Sequence, residues 1–137
     1  MKHPVNRAAG SIKLPGQSLP LALKAIVRLQ GYGNYTWVHL STQPKPILAA
    51  LTLKWFEDQL PGFVRVHKSE IINPAFIRAV ALDDSLQTTV CLVNEYKAKV
   101  SRRRLEQVVA KLNQFSNRLA KVPNYAFPTS GLFPELV

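Results

Sequence analysis

Side chains able to perform acid–base, nucleophilic or metal chemistry are few and widely spaced in this sequence. His3, His39 and His67 have no Cys or acid at a metal-ligand spacing. Asp83 and Asp84 are adjacent acids in a predicted hairpin turn, where aspartate is common because of its turn chemistry. The sequence contains no phosphate-binding Gly-rich loop, dinucleotide fingerprint or nucleophile elbow. We therefore expect no catalytic residues, no metal ligands and no cofactor, and a function other than catalysis.

Basic side chains indicate more about function than these candidate catalytic residues do. Eighteen Lys and Arg face eight Asp and Glu, which gives a formal net charge of +10. Residues 1–56 contain seven of the basic residues and no acid, and residues 97–121 contain eight of them against Glu106 alone. This excess predicts a polyanionic partner, with nucleic acid first and an anionic membrane surface second. A soluble protein that is basic without such a partner is the alternative.

Length and composition bound the class of protein. The 137 residues suit one domain of ordinary size, with or without tails. A hydrophobic content of 47% excludes a wholly disordered chain, and no apolar run approaches the roughly 20 residues of a membrane span. The single Cys91 excludes a disulfide-stapled fold, and its apolar neighbours predict a small core residue. We expect a cytoplasmic protein that is not bound to a membrane.

Short strands followed by a closing helix predict a mainly β fold. Strands are predicted at residues 23–29, 35–40, 63–66, 70–73, 76–82, 88–93 and 96–100, with a candidate return strand at 47–51. Thr52 is predicted to cap a short helix that Pro61-Gly62 ends, and Ser101 to cap a helix from about Arg102 to Leu119. The expected organisation is a basic N-terminal arm at 1–21, mobile or at most a weak edge strand, then a domain at 22–119 and a Pro/aromatic tail at 120–137.

Two polar clusters look suited to contact an anion. Arg102 to Arg104 occupy the first turn of the predicted last helix, where the helix dipole disfavours cations, and phosphate is their natural partner. A solvated basic turn is the plainer interpretation. His67-Lys68-Ser69 interrupts two apolar strands, and such a break can present a basic side chain outward on a stiff base; a simple turn is the alternative there.

The order of these segments resembles the LytTR-type DNA-binding domain of bacterial response regulators. The matching segments cover about residues 22–115, in the order and at the spacing of that family. They are Gly33-Asn34-Tyr35, Thr52-Leu53, Phe63-Val64-Arg65-Val66-His67-Lys68-Ser69, Ile72-Asn73-Pro74, Ile77 and Val100-Ser101-Arg102-Arg103.

The resemblance implies a fold, a partner and a set of contacts. Members of the family are elongated sets of small antiparallel β-sheets with short helices, and their loops enter successive major grooves of promoter DNA. Two copies commonly bind a direct repeat. The base-contacting positions of the family fall on Asn34, Lys68 and Arg102, with Lys68 able to serve base or phosphate. Further expected roles are phosphate contacts for Arg65, Ser69, Ser101 and Arg103, and structural roles for His67 and Asn73.

Some features depart from the family and leave alternatives open. About twenty residues before the first strand cannot hold a receiver domain, so either a stand-alone protein or an excised domain is consistent with the sequence. A homodimer on DNA and a separate receiver or sensor protein both stay open as partners. The alternative functions are a protein-interaction module that docks on an acidic signalling partner, and RNA or single-strand binding with Tyr32, Tyr35 and Trp37 as stacking platforms. Strand alternation assigns at least some of these aromatics to the core.

Overall fold

Short antiparallel strands form most of the fold, which confirms the predicted fold class. The computed structural model describes residues 5–6, 10–82 and 87–119, with the backbone alone for residues 6 and 115–119. The strands are β1 Val5–Asn6, β2 Ser11–Ile12, β3 Leu21–Ala22, β4 Ile26–Tyr32, β5 Tyr35–Leu40, β6 Ile47–Ala49, β7 Val64–His67, β8 Glu70–Ile72, β9 Ile77–Leu82, β10 Thr88–Leu92 and β11 Lys97–Lys99. The helices are α1 Leu53–Gln59 and α2 Leu105–Leu119, and 3-10 turns lie at Leu23–Ala25, Pro74–Phe76 and Arg102–Arg104.

The chain divides into two compact units. The first unit comprises Met1–Phe63 with Ser69–Asn73, and the second comprises Val64–Lys68 with Pro74–Val137. In the first unit β6, β5, β4 and β8 lie side by side in that order, all antiparallel. Leu29 pairs with Val38 of β5 and Ile71 of β8, and all three side chains are buried on one face of the sheet. Period-2 alternation of apolar residues therefore sets the register of these strands.

Helix α1 covers the buried face of the first unit. Leu53 and Phe56 are buried in the same core cluster as Leu29 and Ile71. Thr52 caps the helix as predicted, because its hydroxyl accepts a hydrogen bond from the Trp55 amide at 3.1 Å.

The N-terminal residues differ from the predicted arm. Strands β1, β2 and β3 form a small antiparallel sheet, and Val5, Ile12 and Leu14 are buried in the core of the first unit. The Gly10 carbonyl also accepts a hydrogen bond from the Leu23 amide at 2.8 Å. Prolines and glycines had indicated a mobile or weakly paired segment. The three isolated apolar residues nevertheless bury enough surface to dock it, since each buried Val, Ile or Leu contributes about 1.5–3 kcal/mol.

The second unit contains a separate sheet and the last helix. Strand β10 lies between β9 and β11, with both neighbours antiparallel. Val108, Val109 and Leu112 of α2 are buried, as the helical spacing predicted. Helix α2 contacts β7, whose Val64 and Val66 are buried as well. Cys91 is a buried residue of β10, in agreement with its predicted role as a small core residue.

Three element boundaries differ from the prediction by three residues. The first long strand ends at Tyr32 instead of Leu29, because Tyr32 still pairs with Tyr35. The first long strand begins at Ile26 instead of Leu23, because Leu23–Ala25 form a 3-10 turn. The last helix begins at Leu105, after the 3-10 turn Arg102–Arg104. Ser101 lies at the N-cap position of this 3-10 turn, as predicted, but its hydroxyl makes no cap hydrogen bond; its carbonyl accepts the Arg104 amide at 3.1 Å instead. The predicted Asp83-Asp84 turn and the tail at 120–137 lie outside the described residues.

Candidate nucleic-acid interface

Asn34 lies at the tip of a two-residue hairpin in the first unit. Tyr32 of β4 pairs directly with Tyr35 of β5, which leaves Gly33 and Asn34 as the connecting turn. Gly33 has a φ of +61°, a left-handed conformation that glycine adopts without steric cost. Asn34 is exposed and lies beyond the last paired residues of two hydrogen-bonded strands. The hairpin gives this side chain a rigid base.

A backbone hydrogen bond fixes Ser69 beside the same hairpin. The Gly31 amide donates to the Ser69 carbonyl at 2.9 Å, one residue before the Tyr32–Tyr35 pair. A side-chain β-carbon at Gly31 would lie 3.7 Å from this carbonyl oxygen, which is an ordinary contact distance. The Ser69 side chain itself is exposed. The first unit therefore holds two of the predicted contact residues, Asn34 and Ser69, on neighbouring parts of one sheet.

An ion pair and a histidine contact join the strands of this sheet in the first unit. The Arg28 guanidinium and the Glu70 carboxylate are 2.7 Å apart, with side chains only 12% and 10% exposed, and they join β4 to β8. His39 Nε2 lies 3.1 Å from Gln30 Oε1. Burial, with a smaller contribution from the Arg28 charge, lowers the pKa of His39 from 6.5 to about 4. The imidazole is therefore neutral at pH 7 and can donate to Gln30.

Lys68 lies in the turn that follows β7 in the second unit, and Arg65 binds that turn. The Arg65 Nε donates to the His67 carbonyl at 3.3 Å, and its Nη2 donates to the Lys68 carbonyl. Lys68 is exposed and Arg65 is half-buried. The predicted base-contacting residue is thus presented to solvent, while two donors of the predicted phosphate-contacting arginine point back to the chain.

The start of the last helix is attached to the same strand of the second unit. The Ser101 amide donates to the Val66 carbonyl at 2.9 Å. Gln87 Nε2 donates to the Val100 carbonyl at 2.7 Å, which fixes the residue before this junction. Arg102 and Arg103 are exposed, whereas Arg104 is half-buried. The second unit therefore brings the end of β7, which leads to Lys68, next to Ser101-Arg102-Arg103.

The comparison with known protein families agrees with this arrangement. Residues 16–113 match the family model of the LytTr DNA-binding domain. The chain belongs to the LytTR family of DNA-binding domains. A solved LytTr DNA-binding domain, from a putative methyl-accepting/DNA response regulator of Bacillus cereus, matches with a TM-score of 0.61. The match covers 74% of this chain and 94% of that one at 21% identity, and it shows that the two share a fold.

Two curated relatives of this LytTR domain are named as regulators. The heme-containing CO-sensing transcriptional regulator RcoM 2 of Paraburkholderia xenovorans (strain LB400) is 35% identical over 89 residues. RcoM 1 of the same organism is 34% identical over 91 residues. The matches cover 63% and 64% of this chain, and 33% of each relative. The LytTR chain therefore matches about a third of the length of these relatives.

Asn73 has the structural role that the sequence predicted for it. The Asn73 side chain is buried in the first unit, and its Nδ2 donates to the Ile26 carbonyl at 2.8 Å and the Leu23 carbonyl at 3.5 Å. The Asn73 amide also donates to the Val27 carbonyl at 3.0 Å. The residue ties the end of β8 to the start of β4. For His67, whose side chain is half-buried, the structural role stays a prediction.

The aromatic residues of the LytTR hairpin are more exposed than alternation indicated. Tyr32 is 64% and Tyr35 46% exposed, and Trp37 is half-buried. Thr36 and Val38 occupy the buried positions of β5 instead. The phase of alternation was ambiguous because aromatic and β-branched residues both favour strands. Sequence reasoning also missed Gln87, whose long-range bond to the Val100 carbonyl has no local signature.

Neither a metal-binding group nor a membrane-spanning helix is found in the described part of the LytTR chain. Among these residues there is no group of three or more His, Cys, Asp or Glu that could hold a metal ion. No helix within the same residues is long and apolar enough to cross a membrane.

Proposed function

We propose that this LytTR domain reads the sequence of duplex promoter DNA in a bacterial transcription regulator, through loops that enter successive major grooves. The observation that carries the proposal is the placement of Asn34, Lys68 and Arg102. Each is exposed, and each lies next to a strand end or a junction held by backbone hydrogen bonds. Rigid support of exposed donors is what discrimination between base edges requires.

The side-chain chemistry assigns a role to each of these residues. The Asn34 amide can pair with adenine, and the Arg102 guanidinium can donate two hydrogen bonds to guanine. Lys68 can donate to a base edge or to a phosphate. Ser69, Ser101 and Arg103 are the proposed phosphate contacts, which fix the register of the protein on DNA without reading its sequence.

The regulatory part of the proposal draws on the relatives. The names of the two curated relatives describe transcriptional regulators, and the family is one of DNA-binding domains. We place the function in the bacterial cytoplasm, where promoter DNA is. Two copies on a direct repeat, a homodimer on DNA and a separate receiver or sensor protein are the proposed partners.

A selection from random duplex DNA at about 150 mM salt tests this function, because that salt weakens the non-specific electrostatic binding. The expected result is enrichment of one motif, as a direct repeat with a spacing of about one helical turn. The control variant Lys24→Ala should enrich the same motif, since Lys24 lies before β4, at the opposite end of that strand from the Asn34 hairpin.

Two results would contradict the proposed function. The first is weak, salt-sensitive binding with no enriched duplex motif, which would favour docking on an acidic protein instead. The second is stronger retention of a random single-stranded pool than of any duplex, which would favour stacking on the exposed Tyr32 and Tyr35.

A further inference from the structure

We propose that Arg65 is a positioning residue that sets the direction of Lys68, and is not itself a phosphate contact. This inference rests on the proposed function, since it concerns how one DNA-contacting side chain is held. It replaces the phosphate-contacting role expected for Arg65 from the sequence.

The hydrogen bonds of Arg65 carry the inference. Its side chain runs along the end of β7, and Nε and Nη2 donate to the carbonyls of His67 and Lys68, two successive peptide units of the turn. A guanidinium is planar and presents its donors in a fixed fork, so the two carbonyls are oriented together. The peptide units on both sides of Lys68 are thereby fixed, and with them the direction of the Cα–Cβ bond from which the Lys68 side chain starts.

The neighbouring cations of the second unit are placed differently. Arg102 and Arg103 are exposed, and within the described residues neither side chain makes a hydrogen bond or ion pair. Arg65 is half-buried, and it would have to release the turn carbonyls in order to turn these two donors toward a phosphate. Each such charge-assisted bond is stronger than a neutral one, so releasing the two carbonyls would cost free energy.

A double-mutant cycle separates positioning from direct contact. The variants are Arg65→Lys, which keeps the charge but loses the fork, Lys68→Met, and the two combined. If Arg65 acts through Lys68, Arg65→Lys should weaken binding to the selected duplex in the same way as Lys68→Met. The double variant should then bind within about twofold of Lys68→Met alone, because the two changes remove one contact. If Arg65 and Lys68 made independent contacts, the affinity losses of the two single variants would multiply in the double variant, and that result would overturn the inference.

A matched cycle provides the control. Arg103 lies in the other junction of the second unit and is a proposed phosphate contact. Arg103→Ala and Lys68→Met should therefore lower affinity by factors that multiply, and Arg103→Ala should reduce the salt slope by about 0.9. Arg65→Gln removes a charge as well, but when it is added to Lys68→Met it should leave the slope of that variant unchanged, because the Lys68 contact is already lost. A further reduction of about 0.9 in the slope of the double variant would identify a direct phosphate contact of Arg65 and overturn the inference.

Backbone relaxation of the free protein gives a readout that does not depend on DNA. In Arg65→Lys the NMR order parameters of the Lys68 and Ser69 amides should fall toward the flexible range, below about 0.6, while the Val109 amide in α2 keeps a rigid value near 0.85. Unchanged order parameters at Lys68 and Ser69 would overturn the inference whatever the DNA measurements showed. The two proposals can fail separately. If the wild-type chain shows no base preference but the Lys68 and Ser69 amides are more mobile in Arg65→Lys, the proposed function is contradicted and the role of Arg65 in ordering the turn is supported.

Discussion

At the scale of single residues, His39 makes stability depend on pH. Its pKa is lowered to about 4 in the folded protein, against 6.5 for an unperturbed imidazole. The unfolded chain therefore binds this proton more tightly, and acid favours unfolding. The contribution of the neutral His39 to the free energy of unfolding is fully present above about pH 6.5, and it is lost as the pH falls toward 4. We expect the urea midpoint to decrease over this range, and to decrease less in His39→Gln, which keeps a donor for Gln30. An equal decrease in both proteins would assign the effect to other groups.

Also at the scale of single residues, we expect Asn73 to affect mainly stability and Asn34 to affect mainly DNA binding. Asn73→Ala leaves the buried carbonyl of Ile26 and the half-buried carbonyl of Leu23 without their side-chain donor, and we expect a loss of about 1–3 kcal/mol in the free energy of unfolding. Asn34→Ala removes an exposed amide and should change stability by less than about 0.5 kcal/mol. Denaturant titration measures both values. The affinity of the folded protein for the selected duplex should fall more in Asn34→Ala than in Asn73→Ala. A reversed order of stabilities would contradict the assigned roles.

At the scale of elements, the cap of α1 is a test of how local chemistry sets the fold. The Thr52 hydroxyl accepts the Trp55 amide, and α1 in turn buries Leu53 and Phe56. Thr52→Ala should therefore cost about 1 kcal/mol in the free energy of unfolding, whereas Thr52→Ser keeps the acceptor and should cost less. Thermal unfolding of the two variants provides the measurement. Equal losses would show that the methyl group of Thr52 matters more than its hydroxyl.

Elements with strong local signals could be predicted from the sequence, and those decided by tertiary context could not. Strand β5 and helix α1 have clear periodicity with turn and cap residues at their ends, and they were predicted nearly to the residue. The 3-10 turn at Leu23–Ala25 and the strands β1 and β2 are two or three residues long and contain only one or two apolar residues each. Their conformation depends on the core against which they pack.

The candidate site shows the same division. The exposed positions of Asn34, Lys68 and Arg102 follow from turn and junction residues that the sequence displays. The bonds that hold them do not, since Gly31 to Ser69 and Ser101 to Val66 join residues distant in sequence. Arg65 is a different case, because its partners are only two and three residues away. There the direction of a flexible side chain decides the role, and residue type alone does not specify it.

At the scale of the whole molecule, the net charge of +10 should make DNA binding strongly dependent on salt. The logarithm of the association constant should fall linearly with the logarithm of salt concentration, by about 0.9 for each phosphate contact. Arg103→Ala should reduce this slope by about one contact and leave the preferred sequence unchanged. Lys24→Ala, which removes the same charge away from the proposed contacts, should leave the slope nearly unchanged. Equal slope changes in the two variants would indicate that only overall charge matters.

The central claim is that exposed side chains on rigid junctions read individual bases, and Arg102 tests it most directly. Wild-type protein and Arg102→Ala would be titrated at about 150 mM salt against the selected duplex and each of its single base-pair substitutions. We predict that the variant loses about 1–3 kcal/mol on the selected duplex and becomes indifferent to the base pair at one position, with the other preferences retained. Uniform weakening on every duplex, with all preferences intact, would contradict the claim.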